Sequence, residues 1–283
     1  MLGIIVKIIS NNYTIKHNDD YFECKARGRF RNDNITPLVG DKVIFDQDMK
    51  LILDILPRDN QLIRPSVSNI NQALIVMSVK EPDFDFYMLD KLLLIISFNQ
   101  IKPIICLTKM DLLTFKEKRK VKKYRRYYQK IGYLVFTNQQ IRKLKTIFKD
   151  KITVLTGPSG VGKSTLLNKL DVNLKLQTGV ISKALKKGKH TTRHVELFSL
   201  YEGLIADTPG FTSLELTNMT KEDVRNNMIE FDKYKDQCRY RNCFHLKGSN
   251  CQIREMVNKG QILESRYQNY QKFIKEIEEI KKW

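Results

Sequence analysis

Short apolar runs alternate with turn-forming clusters through the N-terminal part of the chain. Ile4–Ile9, Tyr13–Lys16, Tyr21–Ala26, Lys42–Asp46 and Leu51–Leu56 read as β-strands. Asn11-Asn12, Asp19-Asp20, Asn32-Asp33-Asn34 and Asp46-Gln47-Asp48 supply the turn chemistry between them. Five short strands in this span fit a small barrel of the OB type, assigned to residues 1–65. Between Tyr21 and Arg31 aromatic and basic residues interleave, with Phe22, Lys25, Arg27, Arg29 and Phe30 among them. That pattern fits an RNA-facing surface, and equally one buried face with solvated charges opposite.

Pro57 and Pro65 flank a predicted linker, and beyond it the rhythm changes. Strands at Ala73–Val79, Ile104–Leu107, Tyr133–Phe136 and Ile152–Leu155 alternate with helices at Met88–Phe98, Lys116–Lys130 and Ile141–Phe148, and with one starting at Lys163. Two more strands follow at Val195–Leu200 and Leu204–Ala206. This is the signature of a doubly wound α/β sheet, assigned to residues 66–216. Residues 217–283 read as a polar helical domain that ends in a charged helix over Ile262–Trp283.

Composition narrows the setting. A hydrophobic content of 42% suffices for buried cores and argues against wholesale disorder. No apolar run reaches the ~18 residues of a membrane span, and the opening Met1-Leu2-Gly3-Ile4-Ile5-Val6 has no charged leader. A cytoplasmic monomer without a membrane partner is the expectation. Lys and Arg number 50 against 31 acidic residues, a formal charge of +19 that would attract polyanions, nucleic acid foremost. A general Lys-rich bias would give the same charge without such a partner.

The chemistry begins at Gly157-Pro158-Ser159-Gly160-Val161-Gly162-Lys163-Ser164, followed by Thr165. This is G-x-x-x-x-G-K-S between a predicted strand and a predicted helix, the context that a phosphate loop needs. Backbone N–H groups at a helix N-terminus would wrap the phosphates. Lys163 would reach the β- and γ-phosphates, and the Ser164 hydroxyl would hold Mg²⁺. Downstream, Asp207 closes a strand and opens Asp207-Thr208-Pro209-Gly210. Asp207 would hold the Mg²⁺ shell through water, while Gly210 would offer its N–H to the γ-phosphate. Between the two motifs lies Gly188-Lys189-His190-Thr191-Thr192-Arg193, where Thr192, with Thr191 as alternate, would complete the Mg²⁺ coordination.

The strand at Ile104–Leu107 runs into Thr108-Lys109-Met110-Asp111. A buried Asp111 carboxylate would accept from the guanine N1–H and exocyclic amine, partners that adenine lacks. The Lys109 stem would cover the base face. Thr137-Asn138 is the candidate second base-contact loop. The base motif precedes the phosphate loop, whereas ordinary GTPases carry them in the opposite order. A site assembled from loops at one sheet edge depends on strand placement rather than chain order, so a circular permutation preserves it.

Cys238, Cys243, His245 and Cys251 form C-x₄-C-x-H-x₅-C. Three thiolates and an imidazole complete a tetrahedral site for one structural Zn²⁺, leaving no open position for chemistry.

Together these residues resemble the RsgA (YjeQ) family of small-ribosomal-subunit-dependent GTPases. The motif order, Pro37-Leu38-Val39-Gly40-Asp41, Arg64-Pro65, Asp207-Thr208-Pro209-Gly210-Phe211 and the Cys/His set carry the likeness along the whole chain. The resemblance implies an N-terminal OB-fold, a permuted GTPase domain and a C-terminal zinc-containing helical domain. It further implies binding to the 30S subunit and its 16S rRNA late in maturation, with GTP hydrolysed to GDP and phosphate under stimulation by the subunit. Thr108 stands where the family usually carries Asn. Phe211, after Gly210, has no group to orient water, so slow intrinsic hydrolysis is expected, with His190 as the candidate placed near the water. The rival reading is a GTP-regulated RNA-binding placeholder with negligible turnover.

Overall fold

The computed structural model describes residues 1–28, 30, 35–62, 66–171, 195–207, 216–246, 248 and 250–280. Its first five strands are β1 (Leu2–Ile9), β2 (Asn12–His17), β3 (Asp20–Ala26), β4 (Lys42–Asp46) and β5 (Leu51–Ile55). They close a barrel in the order β1-β2-β3-β5-β4, with β4 returning to β1 and β3 running parallel to β5. This is the OB arrangement that the strand spacing predicts. Ile5, Ile15, Val43, Phe45 and Ile52 fill its interior.

Alternation along β3 sorts its apolar and basic residues onto opposite faces. Cys24 is buried and Phe22 packs on Phe45, ring centroids 5.2 Å apart, while Lys25 faces solvent. Most of the interleaving is therefore one core face and one wet face. Tyr21 is the exception: its ring is exposed, and its hydroxyl lies 3.0 Å from Ser199 Oγ in the second sheet.

The described part of the predicted linker forms regular structure. β6 (Gln61–Leu62) and β7 (Val67–Ser68) pair antiparallel across it. Asp41, fully buried, ties this hairpin to the barrel. Its carboxylate accepts from Leu38 N at 2.7 Å, Ser68 Oγ at 2.6 Å, and Arg58 Nε and Nη2 at 2.7 and 2.8 Å. A buried carboxylate with four donors, two of them from a guanidinium, is compensated for its lost hydration.

The central domain follows as β8 (Gln72–Ser78), α1 (Phe86–Phe98), β9 (Lys102–Thr108), α2 (Phe115–Lys130), β10 (Leu134–Thr137), α3 (Ile141–Lys145), β11 (Ile152–Thr156), α4 (Lys163–Leu170), β12 (Leu197–Leu200) and β13 (Gly203–Asp207). Its six strands lie in the order β10-β9-β8-β11-β13-β12, parallel except for the β12–β13 hairpin at the edge. Every residue of β8 and β11 is buried, which is why these strands read as continuous apolar runs. Ala73, Ile75 and Met77 face one layer with Leu89, Leu92 and Ile96 of α1. Leu74 and Val76 face the other with Leu144, Leu166 and Leu170 of α3 and α4.

The helix predicted over Ile141–Phe148 stops at Lys145. Gly203 explains the shortening: a Cβ there would lie 1.9 Å from Phe148 O and 2.8 Å from Lys151 O. The chain from Phe148 to Lys151 runs against the start of β13 and cannot keep a helical path.

The C-terminal part holds α5 (Lys221–Asn226), α6 (Gln252–Asn258) and α7 (Glu264–Ile280). Phe231, Tyr270, Phe273, Ile274 and Ile277 pack there together with Leu94 and Ile95 from α1, so this core is shared with the central domain. Beneath it lies a buried ionic knot. Arg266 donates to Asp90 Oδ1 at 2.8 Å and to both Glu230 oxygens at 2.7 and 2.6 Å, while Asn269 and Tyr128 donate to Asp90. Burial opposes the Arg266 charge, but the two carboxylates outweigh it and hold the guanidinium protonated. No helix among the described residues is long and apolar enough to cross a membrane.

Candidate nucleotide site and metal centre

The loops that leave the C-terminal ends of β9, β10, β11 and β13 share one sheet edge, where α/β folds bind ligands. Between β11 and α4 runs the loop from Gly157 to Gly162. Its first residue has φ +140, and a Cβ there would stand 2.1 Å from Val76 O on the neighbouring strand. Only glycine lets the loop hug β8 this closely. Val161 is buried under the loop, whereas Ser159, Gly160, Ser164 and Thr165 are exposed along its rim. The Lys163 ammonium arches back over the loop and donates to the carbonyls of Gly157 and Pro158 at 2.7 Å each.

Asp207 closes β13 in parallel register with Leu155, two residues ahead of the phosphate loop. The sequence expectations at His190, Thr191, Thr192 and Gly210 lie outside the described residues.

The base motif is physically joined to the phosphate loop. Thr108 Oγ1 donates to Val161 O at 2.5 Å. It also lies 3.9 Å from where a Gly162 Cβ would stand. Thr108, at the place where Asn is usual, therefore still bridges the two motifs that the chain order separates. Lys109 adopts a left-handed conformation, φ 58, and its ammonium donates to Glu81 O. Asp111 sits in a 3-10 turn, Met110–Leu112, and its carboxylate is exposed rather than buried as the sequence reading has it. Asn138 N donates to Leu107 O at 2.9 Å, which sets the Thr137-Asn138 turn beside the base motif. Two buried polar atoms on this edge, Thr156 Oγ1 and Asn138 Oδ1, have no hydrogen-bond partner among the described residues. Glu81 escaped the sequence reading because it acts through its carbonyl, which no side-chain pattern reveals.

Removing the bridge gives a direct check. In Thr108→Val the carbonyl of Val161 loses its donor in a buried setting, worth ~1–2 kcal/mol. GTP and GDP affinities are expected to fall about tenfold. Thr108→Asn, which restores a donor, is expected to recover most of that loss in a fluorescent-nucleotide titration. Unchanged affinity in the valine variant would show that the loop keeps its shape without the tether.

The second cluster lies in the C-terminal part. The ligand atoms of Cys238, Cys243, His245 and Cys251 all fall within 4.8 Å of one another. His245 Nδ1 stands 3.5 Å from Cys238 Sγ and 3.4 Å from Cys251 Sγ, spacings that suit the edges of a tetrahedral site. The chemistry of the donors fits a cation. Burial, with the nearby Arg225 charge, holds the His245 imidazole down to about 4, so it is neutral with a lone pair to give. Burial and the neighbouring cysteines push the Cys251 thiol up to about 11. Thiolates so crowded call for a positive centre among them. Tyr267 Oη donates to His245 O at 2.5 Å and Tyr270 Oη to Phe244 O at 2.7 Å, so α7 fixes the ligand loop.

Comparison with known proteins agrees with this geometry. The RsgA GTPase family model matches residues 55–217, and the RsgA N-terminal domain model residues 2–50. The small ribosomal subunit biogenesis GTPase RsgA of Bacillus cereus is 42% identical over 99% of this chain and 98% of its own length. That of Enterococcus faecalis is 41% identical over 98% and 95%. Among solved structures, YloQ, described as a circularly permuted GTPase, superposes with a TM-score of 0.85 at 35% identity, covering 98% of this chain and 95% of its own. YjeQ from Thermotoga maritima gives 0.84 at 32%, covering 98% of each. A barrel followed by a GTPase sheet whose base motif precedes its phosphate loop places this chain in the RsgA GTPase family, as a circularly permuted GTP hydrolase.

Proposed function

We propose that this protein assists the late maturation of the small ribosomal subunit in the cytoplasm, binding the subunit and its 16S rRNA as a monomer and hydrolysing GTP when the subunit engages it. The observation that carries this reading is the Thr108–Val161 bond, which joins the proposed base motif to the proposed phosphate loop despite the permuted order. The relatives' shared designation as small ribosomal subunit biogenesis GTPases supplies the setting.

The roles fall as follows. Asp111 reads guanine, with Lys109 flanking the base. The loop from Gly157 through Pro158, Ser159, Gly160, Val161 and Gly162 wraps the phosphates with backbone N–H groups. Lys163 exchanges its carbonyl partners for the β- and γ-phosphates. Ser164 and Thr192 would hold Mg²⁺, with Asp207 reaching it through water, and Gly210 would meet the γ-phosphate. Thr165 lies beside Ser164 in the first turn of α4, within reach of the phosphates. Mg²⁺ would neutralise charge between the phosphates as the bond breaks. His190 positions the attacking water when the subunit is engaged. Residues 1–65, 66–216 and 217–283 then serve as RNA-binding barrel, engine and zinc-held helical module.

Titration of GTP hydrolysis with purified 30S and 50S subunits tests the proposal. Slow turnover alone and acceleration by about a factor of ten or more with 30S, but not 50S, is the expected result. Binding of GTP and 30S with no acceleration would instead favour a placeholder. His190→Ala retaining full stimulated turnover would remove that histidine from the mechanism.

A further inference from the structure

Helix α2 carries nine basic residues and one acid over Phe115–Lys130. Lys116, Lys118, Arg119, Lys120, Lys122, Lys123, Arg126 and Lys130 are all exposed. Among the described residues none of these eight takes part in an ion pair; the helix's one acid, Glu117, pairs with Lys80. The opposite side is fully committed. Val121, Tyr127 and Tyr128 join the main core, Tyr127 Oη accepts from Leu263 N, and Tyr128 Oη donates to Asp90.

Like charges at i,i+3 and i,i+4 recur along the outer face, as in Lys118–Lys122, Arg119–Lys122, Arg119–Lys123 and Lys122–Arg126, and each pair disfavours the bare helix. A Thr114–Glu117 capping box and the tyrosine packing hold it together. A Lys-rich composition alone would load the other long helix equally. It does not: α7 has four acids and three bases. The charge is concentrated on one element.

An aromatic group sits on the same stripe. Phe115 is 73% exposed, and the Arg119 guanidinium lies 4.7 Å from its ring centroid. Phe115, Arg119, Lys122 and Arg126 follow each other at i, i+4, i+7 and i+11, so they form one line along the helix. Their successive spacing of about 5–6 Å is commensurate with consecutive phosphates of a nucleic-acid strand. Arg125 donates to Gln140 Oε1, which places the start of α3, with exposed Arg142 and Lys143, beside the far end of this line.

We infer that the outer face of α2, continued by Arg142 and Lys143, is a docking surface for the phosphate backbone of structured RNA, with Phe115 and Arg119 stacking on an unpaired base at its edge. The inference rests on the proposed action at the small subunit and names the surface that meets its RNA. Cations supply affinity without sequence preference, and the aromatic–guanidinium pair accepts any base face. Because Phe115 follows the base motif by four residues, RNA on this surface lies next to the loop that reads guanine.

The test measures binding of the full-length protein to purified 30S subunits across a salt series. The variant combines Lys118→Gln, Lys122→Gln, Lys123→Gln and Arg126→Gln. The control neutralises four lysines already paired with acids, Lys149, Lys221, Lys235 and Lys259. The α2 variant is expected to bind about 10–100-fold more weakly near physiological salt, and its log–log salt slope is expected to fall by about 2 or more. Its subunit-free GTP hydrolysis stays that of the parent, and its melting temperature is expected to be no lower, because like-charge repulsion along the helix is relieved. Phe115→Ala is expected to weaken binding several-fold with the slope unchanged, because stacking releases no counterions. Equal losses in variant and control would overturn the surface, as would an α2 variant with parental affinity and slope. A parent protein that fails to bind 30S at all would overturn the proposed function, and the docking surface with it.

Discussion

Gly157→Ala is expected to abolish GTP binding and hydrolysis, with nucleotide affinity falling by at least about 100-fold, or ~2.7 kcal/mol. The added methyl would meet Val76 O at 2.1 Å and Val76 C at 3.1 Å, both backbone atoms of a strand buried on both faces. Neither can move without disturbing the pairing of β8 with β9 and β11. A φ of +140 adds strain for any side chain. The loop must therefore lift from the sheet, carrying Val161 and its bond to Thr108 with it. Lys163→Ala separates this geometric effect from the electrostatic one. It leaves the loop in place and removes the ammonium that spans the Gly157 and Pro158 carbonyls. Hydrolysis is then expected to drop on the order of 10²–10³-fold, while the fold is retained. Calorimetric GDP titration and circular dichroism of both proteins decide it. An alanine at 157 that binds GDP as tightly as the parent would mean that the loop does not need to approach β8.

What could be read in advance was whatever depends on local stereochemistry. Glycines at fixed offsets before a lysine, a strand ending in Thr108-Lys109-Met110-Asp111, and cysteines at ligand spacing each declare their chemistry within a dozen residues. The alternation of β3 likewise announces a barrel strand, although not which face is wet. Contacts that join distant stretches stayed hidden. Asp90 stands with Lys91 in a mainly apolar helix, yet its partner Arg266 is 176 positions away. The adjacent Lys91 turns instead to Glu276, so the local sequence does not show which cation meets the buried carboxylate. The bridge from Thr108 to Val161 spans 53 positions and depends on permuted strand order bringing β9 and β11 to either side of β8. The early end of α3 follows from the approach of Gly203, which belongs to a strand not yet made when the helix is read. Guanine recognition calls for an enclosed Asp111 carboxylate, and the protein without a base leaves it at the rim.

Loss of the metal centre is expected to unfold the C-terminal core and to loosen the GTPase domain against it. With Cys243→Ser, bound zinc measured by mass spectrometry is expected to fall from one per chain to near zero. Structural zinc contributes about 10–16 kcal/mol of apparent binding energy in small modules, far beyond what the residues between Cys238 and Cys251 recover by packing. The consequences spread because the core is shared: Cys251 packs with Phe231, Tyr270 and Phe273, and these meet Leu94 and Ile95 of α1. Melting temperature is expected to fall by many degrees, and chelation of the parent protein should reproduce the shift. Acid should act in the same direction. Burial and the Arg225 charge hold the metal-free His245 imidazole down to about 4, below the usual ~6.5 of the unfolded chain, and a bound ion would hold it down further. Between those values the unfolded state takes up a proton that the folded state refuses, so stability is retained above about pH 6.5 and declines as pH falls toward 4. Protonation of the thiolates adds to that loss. A Cys243→Ser protein with parental zinc content and an unshifted melt would show that the four residues do not hold a structural ion.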